Sequence, residues 1–249
     1  MEQKYSDYTE KDLQVWKTLF HNQYPNLPGK ACEEYINTLN SLSSVLNANT
    51  IPNFELLDKE LIKSNGWTIQ VVPGLIPVSE FFQLLANKKF CSSTWLRKKD
   101  QMEYIEEPDM FHDIFGHIPL LINPVFSSFV HKFAQIGEKY VNDPIILTAL
   151  QRLYWFTVEF GLINENNKVR IYGAGILSSY GETNHIFEEG VEIRPFDLQK
   201  VIETPYSTSE IQRIYYVLDN FEQLFNSLDT LLDKINNGLT ISAGIVGDY

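Results

Sequence analysis

Two histidines and an aspartate (His112, Asp113 and His117) stand close together in the apolar stretch 111–121, FHDIFGHIPLL. The histidines are five positions apart, and on a regular α-helix their side chains would point about 140° away from each other. Gly116 permits the chain to leave helical geometry just before His117, so that both imidazoles could converge on one metal ion. An equally compatible interpretation is that both are hydrogen-bonded histidines of the core.

A carboxylate that could complete a metal site lies in the apolar segment 153–162 (LYWFTVEFGL), where Glu159 is the only formal charge. Burying an unpaired carboxylate is costly, so such groups pair with a cation, bind a metal or take up a proton. Arg152 stands seven residues before Glu159, on the same face of a helix. An Arg152–Glu159 ion pair is therefore the alternative to a metal, and composition does not exclude it.

Two histidines and one carboxylate make up the facial triad of non-heme Fe(II) oxygenases, in which three protein ligands leave one face of the metal open. Oxygen and a second reactant can meet on that open face. Zinc hydrolases also use two histidines and a glutamate, together with a metal-bound water, so the ligand types alone do not choose between oxidation and hydrolysis. A third hypothesis is a non-catalytic binding domain that the metal stabilises.

The elements that would position these residues are mostly helices. Capping residues and apolar residues at helical spacing predict helices at 9–20, 31–46, 56–63, 78–86, 108–116, 126–140, 144–160, 197–202 and 207–235. Alternating and β-branched runs predict strands at 67–72 and 169–172, and a strand or extended segment at 90–97. The pattern predicts one mostly α domain with a few short β-strands.

The last predicted helix has Ser207 and Glu210 as its capping box. Its apolar residues recur in alternating steps of three and four up to Ile235, which permits a coiled-coil seam. That seam would include phenylalanines, which are poor seam residues. The pattern therefore favours an amphipathic helix that covers its own core.

The composition is that of a globular protein: 249 residues, of which 44% are hydrophobic, can bury a substantial core. The net charge of −12 argues against nucleic acid and anionic membranes as partners, because both require basic surfaces. Neither a membrane-spanning apolar run nor the apolar segment of a signal peptide is found. Cys32 and Cys91 lack the spacing of a metal or disulfide motif. We therefore expect a soluble, cytoplasmic protein.

Three blocks resemble, in the correct order, the signature motifs of the pterin-dependent aromatic amino acid hydroxylases: PDMFHDIFGHIPLL at 108–121, YWFTVEFGL at 154–162 and YGAGILSSYGE at 172–182. The resemblance runs from about residue 8 to about residue 225. The segments YTEKDLQVWKTLF, LPGKAC and YIEEPDMFHD are similar to the bacterial branch that acts on phenylalanine. The resemblance implies a single catalytic domain at 1–249, without the regulatory domain and tetramerisation tail of animal members, and hence a monomer.

The resemblance also implies roles for individual positions. His112, His117 and Glu159 would bind iron and carry the catalysis. The positions that match the pterin-binding residues are Gly74, Leu75, Ile76, Phe81, Asp113 and Tyr154, and the Phe81 ring would stack on the pterin. Arg97 would bind the carboxylate of the substrate. The other positions that match substrate-binding residues are Pro108, Trp155, Gly175 and Ser178. Without the resemblance, Phe81 would be assigned to the core and Arg97 to the surface.

The implied activity is hydroxylation of the ring of L-phenylalanine to L-tyrosine by O2, with Fe(2+) and a tetrahydropterin (tetrahydrobiopterin or a related pterin) as cofactors. Trp155 fits phenylalanine or tyrosine hydroxylases better than the tryptophan branch, where Phe is usual. Thr208 lies where substrate preference varies in the family. A member that hydroxylates tryptophan or the meta position is therefore the alternative within the family, and the zinc hydrolase is the alternative from another class.

Overall fold

The computed structural model describes residues 1–102, 107–208 and 211–241. Helices dominate these ranges. In chain order the α-helices are α1 (Glu10–Gln23), α2 (Glu33–Ser41), α3 (Phe54–Asn65), α4 (Val78–Ala86), α5 (Ile118–Leu121), α6 (Pro124–Tyr140), α7 (Pro144–Tyr154), α8 (Ala174–Leu177), α9 (Tyr180–His185), α10 (Leu198–Glu203) and α11 (Phe221–Asn236).

Two further segments are wound as π-helices, which we label π1 (His112–His117) and π2 (Trp155–Glu159). π1 runs directly into α5, and π2 continues α7. Short 3-10 turns occupy Tyr5–Asp7, Tyr24–Asn26 and Lys99–Gln101.

The strands form two small sheets in the described part of the chain. β1 (Thr68–Val71) and β2 (Lys89–Ser92) pair in parallel. The second sheet has the order β4-β3-β6-β5, and its strands are β3 (Leu162–Glu165), β4 (Lys168–Ile171), β5 (Glu192–Pro195) and β6 (Ile214–Leu218). β3 and β4 form a hairpin whose two turn residues, Asn166 and Asn167, have φ of 54° and 61°. Asparagine tolerates this left-handed conformation better than most residues, which explains the tight turn.

Side-chain caps set the starts of the main helices. Thr9 and Asp12 form a capping box at the start of α1. α6 and α7 share another device, in which Asn123 or Asp143 accepts backbone N–H hydrogen bonds and a proline occupies the first helical position. The starts of α1, α6 and α7 are therefore encoded locally.

α6 lies at the centre of the core and packs against α4, α7 and α11. Gly137 of α6 faces the ring of Phe82 on α4, where an added Cβ would stand 2.1 Å from a ring carbon. The two helices thus approach more closely than any larger residue would allow. Phe82 also contacts Phe133 of α6, with ring centroids 5.6 Å apart. This contact fixes the position of α4 and therefore also that of Phe81, the residue before Phe82.

The mostly α fold with a few short strands is confirmed, but the predicted start of the last helix is wrong. Residues 214–218 form β6, and α11 begins only at Phe221, with Asn220 as its cap. The apolar spacing suited a helix, whereas the β-branched and aromatic run IYYV suits the inner strand between β3 and β5. Glu210 lies outside the described residues.

The apolar face of α11 is turned towards its own core. Leu224, Leu228 and Leu231 are fully buried, and α11 packs against α6. The interpretation of this segment as an amphipathic helix covering its own core is confirmed.

No single helix in the described ranges is both long and apolar enough to span a membrane. The segments His112–Leu121 and Pro124–Tyr140 are long and apolar enough only when taken together, and the chain bends by 111° between them.

Candidate metal centre

π1 places His112 and His117 side by side. A π-helix is hydrogen-bonded from residue i to residue i+5, so positions five apart come onto the same face. The Nε2 atoms of the two imidazoles are 3.1 Å apart. The expectation that the chain leaves helical geometry at Gly116 is wrong, because the helix continues through His117 with a wider turn.

Gly116 serves close packing instead. A Cβ at Gly116 would lie 2.9 Å from the carbonyl oxygen of Ala174, the first residue of α8. The missing side chain lets π1 lie directly against α8. This approach brings Ser178, just after α8, within reach of His112.

Glu159 supplies the third donor from the end of π2 and is 8% exposed. Its Oε1 is 3.2 Å from Nε2 of His117 and its Oε2 is 3.6 Å from Nε2 of His112. The potential ligand atoms of these three residues all lie within 4.8 Å of one another. Arg152 directs its Nη1 to the carbonyl of Ile202 at 2.9 Å. The imidazoles are thus the neighbours that Glu159 faces, and this favours the metal site over the ion pair.

The spacing of the donors fits a metal ion. Metal–nitrogen and metal–oxygen bonds of about 2.1 Å at octahedral or tetrahedral angles separate neighbouring donor atoms by about 3.0 to 3.4 Å. The three observed separations of 3.1, 3.2 and 3.6 Å lie close to that range. Two imidazoles and one carboxylate suit a divalent transition metal. The distances alone accommodate both iron and zinc.

Ser178 sets the tautomer of His112. The Ser178 hydroxyl donates to the carbonyl of Ala174 at 2.8 Å, so its oxygen accepts the Nδ1–H of His112 at 2.9 Å. The Nε2 lone pair of His112 is then directed at the other two donors. A residue matched to substrate binding therefore supports a metal ligand in this structure.

The protonation states also suit metal binding. Burial lowers the pKa of His112 to about 4, so its imidazole is neutral at neutral pH. Burial alone would raise the pKa of Glu159, but the two imidazoles and the Tyr154 hydroxyl outweigh it and hold that pKa below its usual range. Neutral imidazoles and an ionised carboxylate are the forms that bind metals.

Asp113 lies beside the triad but is not part of its donor group. Its Oδ2 accepts the backbone N–H of Ser93 at 2.9 Å, just after β2. Burial raises the pKa of Asp113 to about 7. This placement agrees with a supporting role beside the triad.

Arg97 is buried and forms a bidentate pair with Asp109. Its Nε and Nη2 donate to the two carboxylate oxygens, each at 2.8 Å. Asp109 also accepts the backbone N–H groups of Arg97 and His112, at 2.9 and 3.1 Å. Burial would raise the pKa of Asp109, but Arg97 lowers it below its usual range. The Asp109 carboxylate thus connects Arg97, the predicted substrate-binding arginine, to π1, which carries His112 and His117.

Asp109 was not identified from the sequence. The available signal was a carboxylate just before Met110 and Phe111, directly after Pro108 and twelve residues after an arginine. Pro108 itself is half-buried.

Trp155 lies in an aromatic stack at the start of π2. Its ring is parallel to that of Tyr206, with centroids 4.4 Å apart at 15°, and tilted against Phe160 at 4.5 Å. π2 aligns Trp155 with Phe160, which are five positions apart. Gly175 allows the close approach of α8, since its Cβ would lie 3.1 Å from the Phe160 ring. Sequence reasoning missed Phe160 and Tyr206.

The segment predicted to bind pterin precedes α4. Gly74 has φ of +154°, and Leu75 is exposed and donates its N–H to Glu107 at 3.0 Å. Ile76 is half-buried. The Phe81 ring meets Tyr154 edge-on, with centroids 5.5 Å apart. Because the Tyr154 side chain is hydrogen-bonded to Glu159, a continuous series of contacts joins Phe81 to the triad.

Comparison with known proteins agrees with this geometry. A model of the family "Biopterin-dependent aromatic amino acid hydroxylase" matches residues 3–244. The chain is 42% identical to a phenylalanine-4-hydroxylase of Ralstonia nicotianae, over 100% of this chain and 80% of that protein.

Two crystal structures of phenylalanine hydroxylase from Chromobacterium violaceum are similar to the whole chain. One holds iron(III) and the oxidised cofactor 7,8-dihydrobiopterin; its TM-score is 0.89 at 40% identity, over 99% of this chain and 89% of that one. The other holds iron and phenylalanine, with a TM-score of 0.86 at 38% identity over the same shares.

Proposed function

This chain belongs to the biopterin-dependent aromatic amino acid hydroxylases, and we propose that it converts L-phenylalanine to L-tyrosine with O2, using Fe(II) and a tetrahydropterin. The observation that carries the proposal is the convergence of His112, His117 and Glu159 within 4.8 Å. The bound iron, dihydrobiopterin and phenylalanine of the Chromobacterium structures support these cofactors and this substrate.

In this proposal, His112, His117 and Glu159 hold the iron. Bound together, iron and tetrahydropterin supply the activation of O2 that ring hydroxylation requires. Ser178 keeps the Nε2 lone pair of His112 directed at the metal position. The small exposed fractions of His117 and Glu159, 5% and 8%, limit the access of water.

The remaining predicted residues bind and orient the two organic reactants. Phe81 stacks on the pterin beside the segment 74–76. Arg97 binds the carboxylate of the amino acid while Asp109 fixes the guanidinium plane. Trp155 and Pro108 contact its ring. Holding both reactants beside the metal would accelerate the reaction through proximity and orientation.

The ring preference is tested by offering phenylalanine, tyrosine and tryptophan together with tetrahydropterin and iron(II). We expect phenylalanine to be the amino acid that is mainly consumed, with a matching increase in tyrosine through para hydroxylation. A main product of 5-hydroxytryptophan or of a meta-hydroxylated ring would favour the alternative within the family.

The zinc hydrolase hypothesis is tested by metal analysis and oxygen uptake. We expect iron in the active protein and oxygen consumption on adding tetrahydropterin and phenylalanine. Zinc as the active metal, without coupled oxygen uptake, would contradict the proposal. The hydroxylase relatives reported above favour oxidation.

We further propose that residues 1–249 act as one catalytic domain and that the protein is a cytoplasmic monomer. The apolar face of α11 supports the monomer, because its residues Leu224, Leu228 and Leu231 are buried within the chain.

A further inference from the structure

Gln212 is a buried amide that holds the indole of Trp155. Its Oε1 accepts the Nε1–H of Trp155 at 2.8 Å, and its Nε2 donates to the carbonyl of Ile214 at 2.8 Å. Turning the amide over would set an N–H against the indole N–H and an oxygen against the carbonyl. The two partners therefore determine the orientation of this amide.

Gln212 is itself held by its neighbours. It lies two residues before β6, and its backbone N–H is hydrogen-bonded to the carboxylate of Glu182 on α9. Tyr215 of β6 donates its hydroxyl to the same carboxylate at 2.9 Å. The acceptor that faces Trp155 is thus anchored to both a strand and a helix.

The hydrogen bond fixes a degree of freedom that stacking leaves open. Parallel rings such as Trp155 and Tyr206 can slide and rotate within their own planes and still remain stacked. A directional hydrogen bond at the edge of the indole removes that freedom. The stack also borders the triad, since the charge of Glu159 acts on the phenol of Tyr206.

We propose that Gln212 is a positioning residue that sets the in-plane orientation of Trp155 and thereby the preference of the site for the ring of phenylalanine. This inference rests on the proposed function, in which Trp155 contacts the substrate ring. Gln212 acts through Trp155 and does not touch the reactants.

The first test replaces Gln212 by methionine, which has a similar length but lacks the amide. For Gln212→Met in the iron-loaded enzyme we expect the KM for phenylalanine to rise about fivefold, the effect of one lost hydrogen bond. We expect the KM for tetrahydropterin to stay within about twofold, because the side-chain hydrogen bonds of Gln212 go to Trp155 and Ile214 rather than to Phe81 or the segment 74–76. The preference for phenylalanine over tryptophan, as a ratio of kcat/KM, should fall. Equal rises of both KM values would overturn the proposal.

A double-mutant cycle shows whether Gln212 acts through the indole. Trp155→Phe keeps an aromatic ring but removes the indole N–H. Gln212→Met should then change the KM for phenylalanine little further in the Trp155→Phe background. The same several-fold rise in both backgrounds would overturn the proposal. If the methionine variant is poorly folded, Gln212→Asn is used in its place. Its side chain is shorter by one methylene group, so the amide oxygen lies farther from the indole.

A matched control separates this effect from the loss of any buried amide. Gln23 is 2% exposed and donates to the carbonyl of Leu177 and to Thr183, at 2.6 and 2.7 Å. Gln23→Met should lower the melting temperature without raising the KM for phenylalanine selectively. The same selective rise of the KM for phenylalanine in Gln23→Met would show that Gln212 has no special role.

A readout independent of activity is the indole N–H resonance of Trp155, identified by its loss in Trp155→Phe. In Gln212→Met this N–H should shift and exchange faster with water, and calorimetry on the metal-free protein should show weaker phenylalanine binding with unchanged dihydropterin binding. An unaltered resonance would overturn the proposal. A wild-type protein that hydroxylates no amino acid would instead contradict the proposed function while leaving the resonance shift intact.

Discussion

Ser178 decides which nitrogen of His112 faces the other donors, because its single hydroxyl proton is used by the carbonyl of Ala174. A residue that hydrogen-bonds a metal ligand can thus be as important for metal binding as the ligand itself. The sequence contained Ser178, but its role depends on α8 lying against π1. That contact depends on Gly116 lying against Ala174, two residues far apart in the chain.

Replacing Ser178 by alanine should weaken iron binding, because the Nδ1–H of His112 loses its acceptor. We expect the affinity for iron(II) to fall by at least about tenfold. Competition with a chelator measures the change. Ser127→Ala is the control, since Ser127 is also buried but accepts the indole N–H of Trp67. Equal iron affinities in the two variants would contradict the prediction.

Replacing Asp109 by asparagine should destabilise the protein and raise the KM for phenylalanine. The guanidinium of Arg97 would remain buried without a counter-charge, which costs about 3 kcal/mol in the free energy of unfolding. Urea denaturation measures this change. Asp229→Asn, which breaks the largely exposed pair with Lys132, should change the free energy by less than about 1 kcal/mol. Similar urea midpoints for both variants would rule out the predicted role of Asp109.

At the scale of elements, local signals were sufficient where a cap defines a helix. The starts of α1, α6 and α7 depend on Thr9, Asn123 and Asp143, which act through neighbouring backbone groups. β6 could not be distinguished from a helix because its apolar spacing fits both, and only pairing with β3 and β5 decides. β5 was missed because its sequence, EIRP, carries no alternating apolar pattern.

The candidate site was predictable in part. The three metal donors follow from residue type and from the family motifs, which survive in the chain as contiguous blocks. The wider turn of π1 was not predictable from spacing, because the pattern of apolar residues in 111–121 does not distinguish a π-turn from an α-turn. Asp109, Tyr206 and Gln212 act through tertiary contacts that leave no periodic pattern.

The contact between α4 and α6 offers a test of how an element positions the site. In Gly137→Ala the new Cβ would overlap the Phe82 ring, so we expect the free energy of unfolding to fall by about 1 to 3 kcal/mol. The KM for tetrahydropterin should also rise, because Phe81 follows the movement of α4. Adding Phe82→Leu should restore part of both losses. An unchanged KM for tetrahydropterin in Gly137→Ala would show that α4 does not position Phe81.

For the whole molecule, the metal joins segments that are far apart in sequence, π1 and π2, so its binding should stabilise the complete fold. At an iron(II) concentration one hundred times the dissociation constant, the gain is about 2.7 kcal/mol. The melting temperature should then rise by about 5 to 10 °C under anaerobic conditions. His117→Ala should show no comparable rise. An iron-independent melting temperature in the wild type would contradict the metal site.

The proposed monomer follows from the same helix that first suggested a coiled coil. Sedimentation velocity should give a single species near the mass of one chain, 28.8 kDa, over a wide range of concentration. A stable dimer or tetramer would show that another surface associates.

The two π-helices have a consequence for how the sequence can change over generations. A π-turn is equivalent to an α-helix that has received one extra residue. Losing one residue between His112 and His117 would restore an ordinary α-helix, with intact hydrogen bonds and nearly unchanged helix content. The two histidines would then be four positions apart, which on an α-helix still places them on one face. Such a deletion should leave circular dichroism almost unaltered and keep the two imidazoles together, so the number of residues between these ligands can change by one without loss of their common face.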